Sequence, residues 1–226
     1  MYGILCYDAA MSRWRTKTER LTLLGRPFLH ITVKGKGQLR RAERRFRRQG
    51  VRTVVPPQGG GDSSFGLEWV DVAPFLQAQA ALLVEAGLQR LGRRPEESVV
   101  ALRGRCATAW LRRAAETLCP KVKGLVLNVK EGGDALAEYL YLNQGMGVLQ
   151  ERPGLVPDVA VCFSQEKTGG EAGLTYSLCR ERIDLCGASF SLKEDVEKGA
   201  WGGLPLLAAL WEAGAVRPEM LTVEWA

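Results

Sequence analysis

The stretch Ser98-Val-Val-Ala-Leu-Arg-Gly-Arg-Cys-Ala-Thr-Ala-Trp110 decides the fold class, together with Leu111–Leu118 and Lys123-Gly-Leu-Val-Leu-Asn-Val-Lys130. Its apolar run from Val99 to Leu102 ends at Gly104, and apolar residues then recur at helical spacing. A second apolar run follows. The pattern predicts a strand, a tight turn, a helix and a parallel strand, which together form the βαβ unit of a parallel sheet.

Strand and helix patterns alternate on both sides of this unit. Strands are predicted over residues 2–7, 28–33, 51–55, 157–163, 174–178, 183–192 and 221–225, and helices over 38–49, 71–91, 134–143 and 204–213. Residues 12–26 are polar and basic, and we expect a loop there. This alternation predicts an α/β protein with a doubly wound, mainly parallel, Rossmann-like sheet. The runs Val99–Leu102, Leu125–Val129 and Val159–Phe163 are expected to be adjacent parallel strands at its centre.

The strongest break in the chain is Pro56-Pro-Gln-Gly-Gly-Gly-Asp-Ser-Ser64, which is dense in turn-forming residues. We therefore expect a smaller N-terminal α/β lobe over residues 1–70 and a Rossmann-like domain over residues 71–226. The charge distribution follows the same division. Residues 1–52 carry fourteen Lys and Arg against three acidic residues, a balance of +11, whereas the remainder has a balance of −5.

Composition and length restrict the class of protein. The chain has 226 residues, of which 46% are hydrophobic and 25% charged, as is usual for soluble globular proteins. It has neither an apolar run long enough to span a membrane nor a secretion signal at its start, so we expect a cytoplasmic protein without membrane contact. Its six cysteines form no CxxC motif and it has one histidine, so no zinc-finger spacing is present.

The turn after Val99–Leu102 contains a candidate phosphate-binding motif. Gly104-Arg-Cys-Ala-Thr-Ala109 aligns with the dinucleotide-binding fingerprint G-x-G-x-x-G/A as G-x-C-x-x-A. Here the chain, roughly over residues 98–163, resembles the NAD(P)-binding Rossmann domains of the shikimate dehydrogenase and glutamyl-tRNA reductase type. The resemblance implies a site for a nucleotide or phosphate ligand made by the following residues: Gly104, Arg105, Cys106, Ala107, Thr108, Asn128 and Lys130.

Two departures from the family pattern weaken that site. Cys106 replaces the glycine that lets the backbone approach the pyrophosphate, and its Cβ crowds that approach. The acidic residue that binds the ribose is missing at the end of the second strand, where Lys130 is placed to meet the 2′-phosphate of NADP instead. Free amides at the helix start and the charge of Arg105 still favour an anion. The alternative is an ordinary strand-to-helix turn without a ligand.

A second candidate site is a basic helix face. Leu39, Ala42 and Phe46 form a narrow apolar stripe, and six arginines lie on the opposite arc: Arg40, Arg41, Arg44, Arg45, Arg47 and Arg48. Arg52 and the loop residues Arg13, Arg15, Lys17 and Arg20 extend this charge, and Trp14 is a nearby aromatic residue. The face is suited to binding the phosphates of a nucleic acid or an acidic partner. The alternative interpretation is a solvated helix surface that binds no partner.

Three functional hypotheses follow. The first is a degenerate Rossmann-like protein with a weakened or lost dinucleotide site and a binding or regulatory role. The second is an NADP-preferring oxidoreductase that uses Arg105 and Lys130 on the extra phosphate. The third is a protein that binds nucleic acid or an anionic partner through the arginine helix. No catalytic motif specifies a reaction, so the sequence favours a binding role over an enzymatic one.

Overall fold

A computed structural model of the chain describes residues 1–11, 15–57, 61, 64–152, 154–165, 170–193 and 203–225. The chain forms two compact units. The first comprises Met1–Val72 with Phe190–Thr222, and the second comprises Ala73–Ser189 with Val223–Ala226. The first unit thus includes a segment far along the chain. The division into domains over residues 1–70 and 71–226 stays a prediction.

The first unit is built on a five-stranded sheet. Its elements are β1 (Tyr2–Tyr7), β2 (Lys17–Leu23), β3 (Arg26–Val33), α1 (Leu39–Arg48), β4 (Thr53–Val55) and β5 (Glu68–Trp69). The strand order is β2-β3-β1-β4-β5, in which β2 is antiparallel to β3 and the other neighbours are parallel. The connection from β3 through α1 to β4 therefore passes across β1, so the carboxyl ends of three central strands share one edge of the sheet.

The prediction of a loop over residues 12–26 is wrong for β2. This strand pairs along its whole length with β3, and a tight turn at Leu24 and Gly25, both with positive φ, joins the two strands. β2 lies at the sheet edge and its residues alternate between exposed and half-buried. A strand that is largely solvated can carry polar residues, which is why composition concealed it.

Helix α1 packs on one face of this sheet through Leu39, Ala42 and Phe46. The sheet residues beneath it belong to the same hydrophobic core: Leu5, Leu29, Ile31, Val33 and Val54. The close approach needs a glycine on β1, because a Cβ at Gly3 would stand 2.6 Å from the Phe46 ring. This packing fixes which side of α1 faces solvent.

The second unit has its own five-stranded sheet. Its elements are α2 (Ala73–Ala78), α3 (Ala80–Arg90), β6 (Val99–Cys106), α4 (Ala109–Leu118), β7 (Gly124–Glu131), α5 (Gly133–Gln144), β8 (Val159–Cys162), β9 (Leu174–Cys179) and β10 (Arg182–Asp184). The order is β10-β9-β8-β6-β7, with β10 antiparallel and the others parallel. The predicted βαβ unit and the parallel pairing of β6 with both β7 and β8 are confirmed.

Strand β7 departs from its predicted place. It lies at the end of the sheet order and not at the centre, because the chain that follows α5 contributes only one bridge beside it, between Leu149 and Val126. Its first half is nevertheless buried, with Leu125 and Val126 fully inaccessible. The single helix predicted over residues 71–91 also differs, since it is interrupted at the buried Gln79 between α2 and α3.

Helices α3 and α4 pack on the same face of this sheet, and the doubly wound arrangement stays a prediction. A Cβ at Gly87 of α3 would meet Leu174 and Tyr176, and a Cβ at Gly104 would meet Leu111 of α4. The opposite face, formed by Ala101, Val126 and Ala160, is covered instead by Leu155 and Ala172 from irregular chain. The fold is mixed α/β, and its sheets are mainly parallel.

The remaining elements are α6 (Leu204–Glu212), β11 (Ala188–Leu192) and β12 (Leu221–Trp225). The last two form a two-stranded sheet, and the division between the two units runs through both strands. None of the helices described is long and apolar enough to cross a membrane.

Candidate anion-binding surface

The turn predicted to bind a nucleotide lies two residues further along the chain than expected. Strand β6 continues through Gly104, paired with Val129, and ends at Cys106, paired with Glu131. The prediction of a tight turn at Gly104 is therefore wrong, and Ala107 and Thr108 make the connection to α4. Gly104 serves helix packing, because a Cβ there would lie 3.1 Å from Cδ1 of the fully buried Leu111.

Three backbone amides at this turn have hydrogen-bond acceptors within the chain. The amide of Ala107 donates to the Glu131 carbonyl at 2.9 Å, and the amide of Thr108 donates to the Cys106 carbonyl at 2.9 Å. The Thr108 hydroxyl caps α4 by accepting from the amide of Leu111 at 3.2 Å. The expectation of free amides at this helix start is wrong for these three groups, because the chain satisfies them itself.

The other residues predicted for this site do lie near one another. The pairing of β6 with β7 places Arg103 beside Asn128 and Gly104 beside Val129, next to the exposed Lys130. Arg105 forms an ion pair with Glu131 at 3.2 Å, and Asn128 donates to Glu151 at 2.6 Å. Cys106 is an exposed free thiol. Dinucleotide binding at this edge stays a prediction.

The same edge holds a buried ion pair that the sequence analysis missed. The side chain of Arg103 is only 4% exposed, and its Nη2 donates to Glu151 at 2.8 Å. Glu151 also accepts from the Asn128 side chain and from the amide of Gly170, each at 2.6 Å. Burial raises the pKa of Glu151, but these hydrogen bonds and the charge of Arg103 outweigh it and hold the pKa below its usual value. Burial raises the pKa of the neighbouring Cys162 thiol, which Arg103 opposes.

The arginine helix has the orientation that its periodicity predicts. All six arginines of α1 are exposed, while Leu39, Ala42 and Phe46 are buried. Two of the six are anchored: Arg45 donates to Thr18 Oγ1 at 2.7 Å, and Arg47 pairs with Glu43 at 2.9 Å. Within the described part of the chain, the side chains of Arg40 and Arg48 make no hydrogen bond or ion pair, and that of Arg44 bonds only the Arg40 carbonyl.

The loop that precedes α1 adds basic residues that the sequence analysis did not single out. Lys34-Gly-Lys-Gly37 joins β3 to α1, and with the first turns of the helix it lines an open concavity of about 660 Å³. Among the described residues that line it, none is acidic and five are cations: Lys34, Lys36, Arg40, Arg41 and Arg44. The sequence did contain a signal for this loop, because a predicted strand is followed by Gly35-Lys36-Gly37 and then by a predicted helix. This G-x-G pattern is shorter than the G-x-G-x-x-G/A fingerprint.

A second concavity of about 400 Å³ lies toward the other end of α1. Arg20, Arg45 and Arg48 line it together with the carboxylate of Glu19. A hydrogen bond from Lys17 is the main cause that lowers the pKa of Glu19, and His30 also contributes. This concavity is therefore partly neutralised, in contrast to the first. Arg13 and Trp14, which were expected to extend the basic face, lie outside the described residues.

No protein-family model matches the chain, and no curated protein matches its sequence significantly. Among the described residues, no group of three or more His, Cys, Asp or Glu side chains is arranged to hold a metal ion. The function is therefore argued from the geometry and charge of these surfaces.

Proposed function

We propose that the first unit binds phosphate-rich polyanions, with nucleic acid as the ligand class, through a surface we call the basic surface: Lys34, Lys36, Arg40, Arg41, Arg44 and Arg48. The observation that carries the proposal is the concavity at the start of α1, where the lining residues that the structure describes include five cations and no carboxylate. Cations that line a concavity with no acidic lining residue can neutralise phosphates and release their counterions.

The cost of concentrating these charges supports a ligand. Arginines at i,i+3 and i,i+4 spacing on one helix repel one another, which destabilises a helix by a few tenths of a kcal/mol per pair. The chain offsets this for Arg47 with Glu43, whereas in the residues described Arg40, Arg44 and Arg48 form no ion pair with an acidic side chain. Like charges retained on one open surface favour an anionic partner.

The hypothesis of a degenerate Rossmann-like protein with a weakened or lost dinucleotide site remains the alternative. Its support is position: the residues predicted to bind the cofactor adjoin the carboxyl ends of β6 and β7, where parallel sheets bind ligands. It is the weaker candidate because the turn's amides and Arg105 have partners within the chain. An NADP-preferring oxidoreductase would need Arg105 to exchange Glu131 for the 2′-phosphate.

The proposal is tested by the salt dependence of binding to a fluorescent single-stranded oligonucleotide, measured by anisotropy from 50 to 200 mM salt. We expect the affinity of the wild-type protein to fall steeply over this range. The variant Arg40→Gln, Arg44→Gln, Arg48→Gln should bind more weakly, with a log–log salt slope lower by about 0.7 for each phosphate that the variant no longer neutralises. Its melting temperature should remain unchanged or rise slightly, because all three side chains are exposed and their mutual repulsion is removed.

A matched variant controls for net charge. Arg94→Gln, Arg113→Gln, Arg182→Gln removes three exposed arginines from the second unit, so both variants have the same formal charge. If charge alone governs binding, the two variants will weaken it equally, and the basic surface is then not the site. Absence of oligonucleotide binding by the wild-type protein at low salt would exclude the proposed function.

A further inference from the structure

We propose that the loop Lys34–Gly37 and the first turn of α1 form a receptor for a terminal phosphate monoester, so that the first unit recognises a phosphorylated end of a nucleic-acid strand. The inference rests on the proposed function and names which phosphate the basic surface prefers. It is carried by the shape of the loop, by the number of cations around it, and by the difference between the two ends of α1.

The loop is held in place by a buried side chain. Gln38 is 8% exposed, and its Oε1 accepts from the amide of Lys34 at 2.8 Å while its Nε2 donates to the Arg15 carbonyl at 3.3 Å. Its amide donates to the Gly35 carbonyl at 3.0 Å, which closes the turn. The loop conformation is therefore fixed before a ligand arrives, and binding costs little ordering of the backbone.

The two glycines keep the loop accessible. A Cβ at Gly35 or at Gly37 would have no heavy atom within 4 Å, so both positions open to solvent and neither is needed for packing. Their lack of side chains leaves the backbone between Lys34 and Lys36 open to an anion. Gly104 differs, because a Cβ there would contact Leu111.

Charge distinguishes a terminal phosphate from an internal one. A phosphate monoester carries about −1.5 to −2 at pH 7, whereas each internal diester carries about −1. Five cations surround the loop concavity, and the N-terminal end of the α1 macrodipole adds a partial positive charge of about 0.5. At the other end of α1, Glu19 and the negative end of the dipole oppose Arg20, Arg45 and Arg48. The dianion is therefore favoured at the loop.

The remainder of the surface favours a strand over a small phosphorylated molecule. Arg40, Arg44 and Arg48 repeat every four residues along α1, which spans about 12 Å at 1.5 Å per residue. A ligand seated at the loop by its terminal phosphate can thus present further phosphates to Arg44 and Arg48. A mononucleotide or inorganic phosphate occupies only the loop.

The test compares oligonucleotides of one sequence with a 5′-phosphate, a 3′-phosphate or hydroxyl ends only, by anisotropy at 100 mM salt. We expect the wild-type protein to bind one phosphorylated form about tenfold more tightly than the hydroxyl form. The variant Lys34→Gln, Arg40→Gln should lose that preference. The matched variant Arg20→Gln, Arg48→Gln at the other end of α1 should weaken all forms and keep the preference.

A second variant tests the loop without removing a cation. Gly37→Glu places a carboxylate in the concavity, and the space around that position accommodates its side chain. We expect it to abolish the preference, with a melting temperature that verifies the fold. Equal binding of the three oligonucleotides by the wild-type protein, or equal loss of the preference in both paired variants, would overturn the inference and leave the proposed function standing.

Competition with AMP and with inorganic phosphate identifies the source of the monoester. We expect each to displace the phosphorylated oligonucleotide only at concentrations far above that of the oligonucleotide itself. Displacement by AMP at the oligonucleotide's own affinity would assign the loop to a mononucleotide and overturn the strand-end inference. Failure of every oligonucleotide to bind would instead exclude the proposed function.

Discussion

Two of the connections from a parallel strand to a helix in this chain differ in the charge around them. Between β6 and α4 the turn satisfies its own amides and pairs Arg105 with Glu131. Between β3 and α1, the described residues that line an open concavity include five cations, from the loop Lys34–Gly37 and from α1, and no carboxylate. The first turn carries the sequence that resembles a phosphate-binding motif, and the second carries the charge.

The two turns differ in the charge around them and not in whether their amides have partners. At the first turn, the Glu131 carbonyl accepts from the amide of Ala107, and the Thr108 hydroxyl accepts from the amide of Leu111. At the second turn, Gln38 Oε1 accepts from the amide of Lys34, and the Gly35 carbonyl accepts from the amide of Gln38. The spacing of a motif predicts the shape of the backbone. The hydrogen-bond and ion-pair partners of the nearby side chains determine whether their charge is available to a ligand.

The largest loss of stability is expected on disrupting the buried ion pair of Arg103 and Glu151. Glu151→Gln removes the carboxylate that compensates Arg103, leaving a cation that is 4% exposed without its counter-charge. We expect a loss of about 3 kcal/mol in the free energy of unfolding, measured by urea denaturation. The matched change Glu131→Gln breaks the exposed pair with Arg105 at the same sheet edge and should cost about 1 kcal/mol or less.

Equal effects of these two variants would contradict this account of the β6 edge. The double variant Arg103→Met, Glu151→Gln gives an independent check, because removing both charges should recover part of the stability lost in Glu151→Gln alone.

Substitutions of a glycine at each of the two turns should have smaller and unequal effects on stability. Gly104→Ala should destabilise the protein by about 1–2 kcal/mol, because the added Cβ lies 3.1 Å from Leu111, which is fully buried and has little room to move. Gly35→Ala should change stability by less than about 0.5 kcal/mol, since nothing lies within 4 Å of its Cβ position. Chemical denaturation of both variants measures the contrast. A Gly35→Ala variant as unstable as Gly104→Ala would show that the loop glycine is structural.

Sequence predicted the parts of the molecule that depend on local periodicity. The strand over 28–33, the βαβ unit over 98–130 and the outward direction of the six arginines follow from spacing alone. The pair of Arg103 with Glu151 could not be found this way, because its partners are separated by 48 residues and meet only through the sheet. Arg103 nevertheless left a signal, as a charged residue directly after the run Val99–Leu102, which was expected to be buried on both faces.

The errors also have physical causes. Strand β2 is polar because it lies at a solvated edge, so its composition resembled a loop. In the second unit, irregular chain containing Leu155 and Ala172 packs against the apolar face of the sheet opposite α3 and α4. The local sequence does not show whether a helix or an irregular segment will cover an apolar face of a sheet.

A weaker effect on stability is expected from the titration of His30, which lies on β3, the strand before the loop Lys34–Gly37. Burial lowers the pKa of His30 on β3 from its usual 6.5, although Glu19 opposes this shift. The unfolded chain therefore binds the proton more readily. The contribution of His30 is fully present above about pH 6.5 and is lost as the pH falls toward the folded-state pKa.

We expect His30→Gln to flatten the decrease in melting temperature between pH 7 and pH 5. Glu19 also has a lowered pKa, but its contribution is lost only below its usual value of 4.5, outside this window. The slope with pH is the measurement, because a constant offset from the substitution does not affect it. A slope unchanged by His30→Gln would contradict the assignment.

The smallest effect is expected at the turn that carries the motif. If Cys106 alone blocks a dinucleotide, Cys106→Gly should allow NADP to bind, because it removes the Cβ that crowds the pyrophosphate. We expect calorimetry to detect no NADP binding by either the wild-type protein or the variant. The amides of Ala107 and Thr108 would still donate to the Glu131 and Cys106 carbonyls, and Arg105 would still pair with Glu131. Adding Glu131→Gln to Cys106→Gly frees Arg105 and provides the most permissive form of the turn. Binding of NADP by that double variant alone would show that the ion pair between Arg105 and Glu131 blocks the site. Binding of NADP by Cys106→Gly would instead support the dinucleotide hypothesis, and both turns of this chain would then be anion-binding turns.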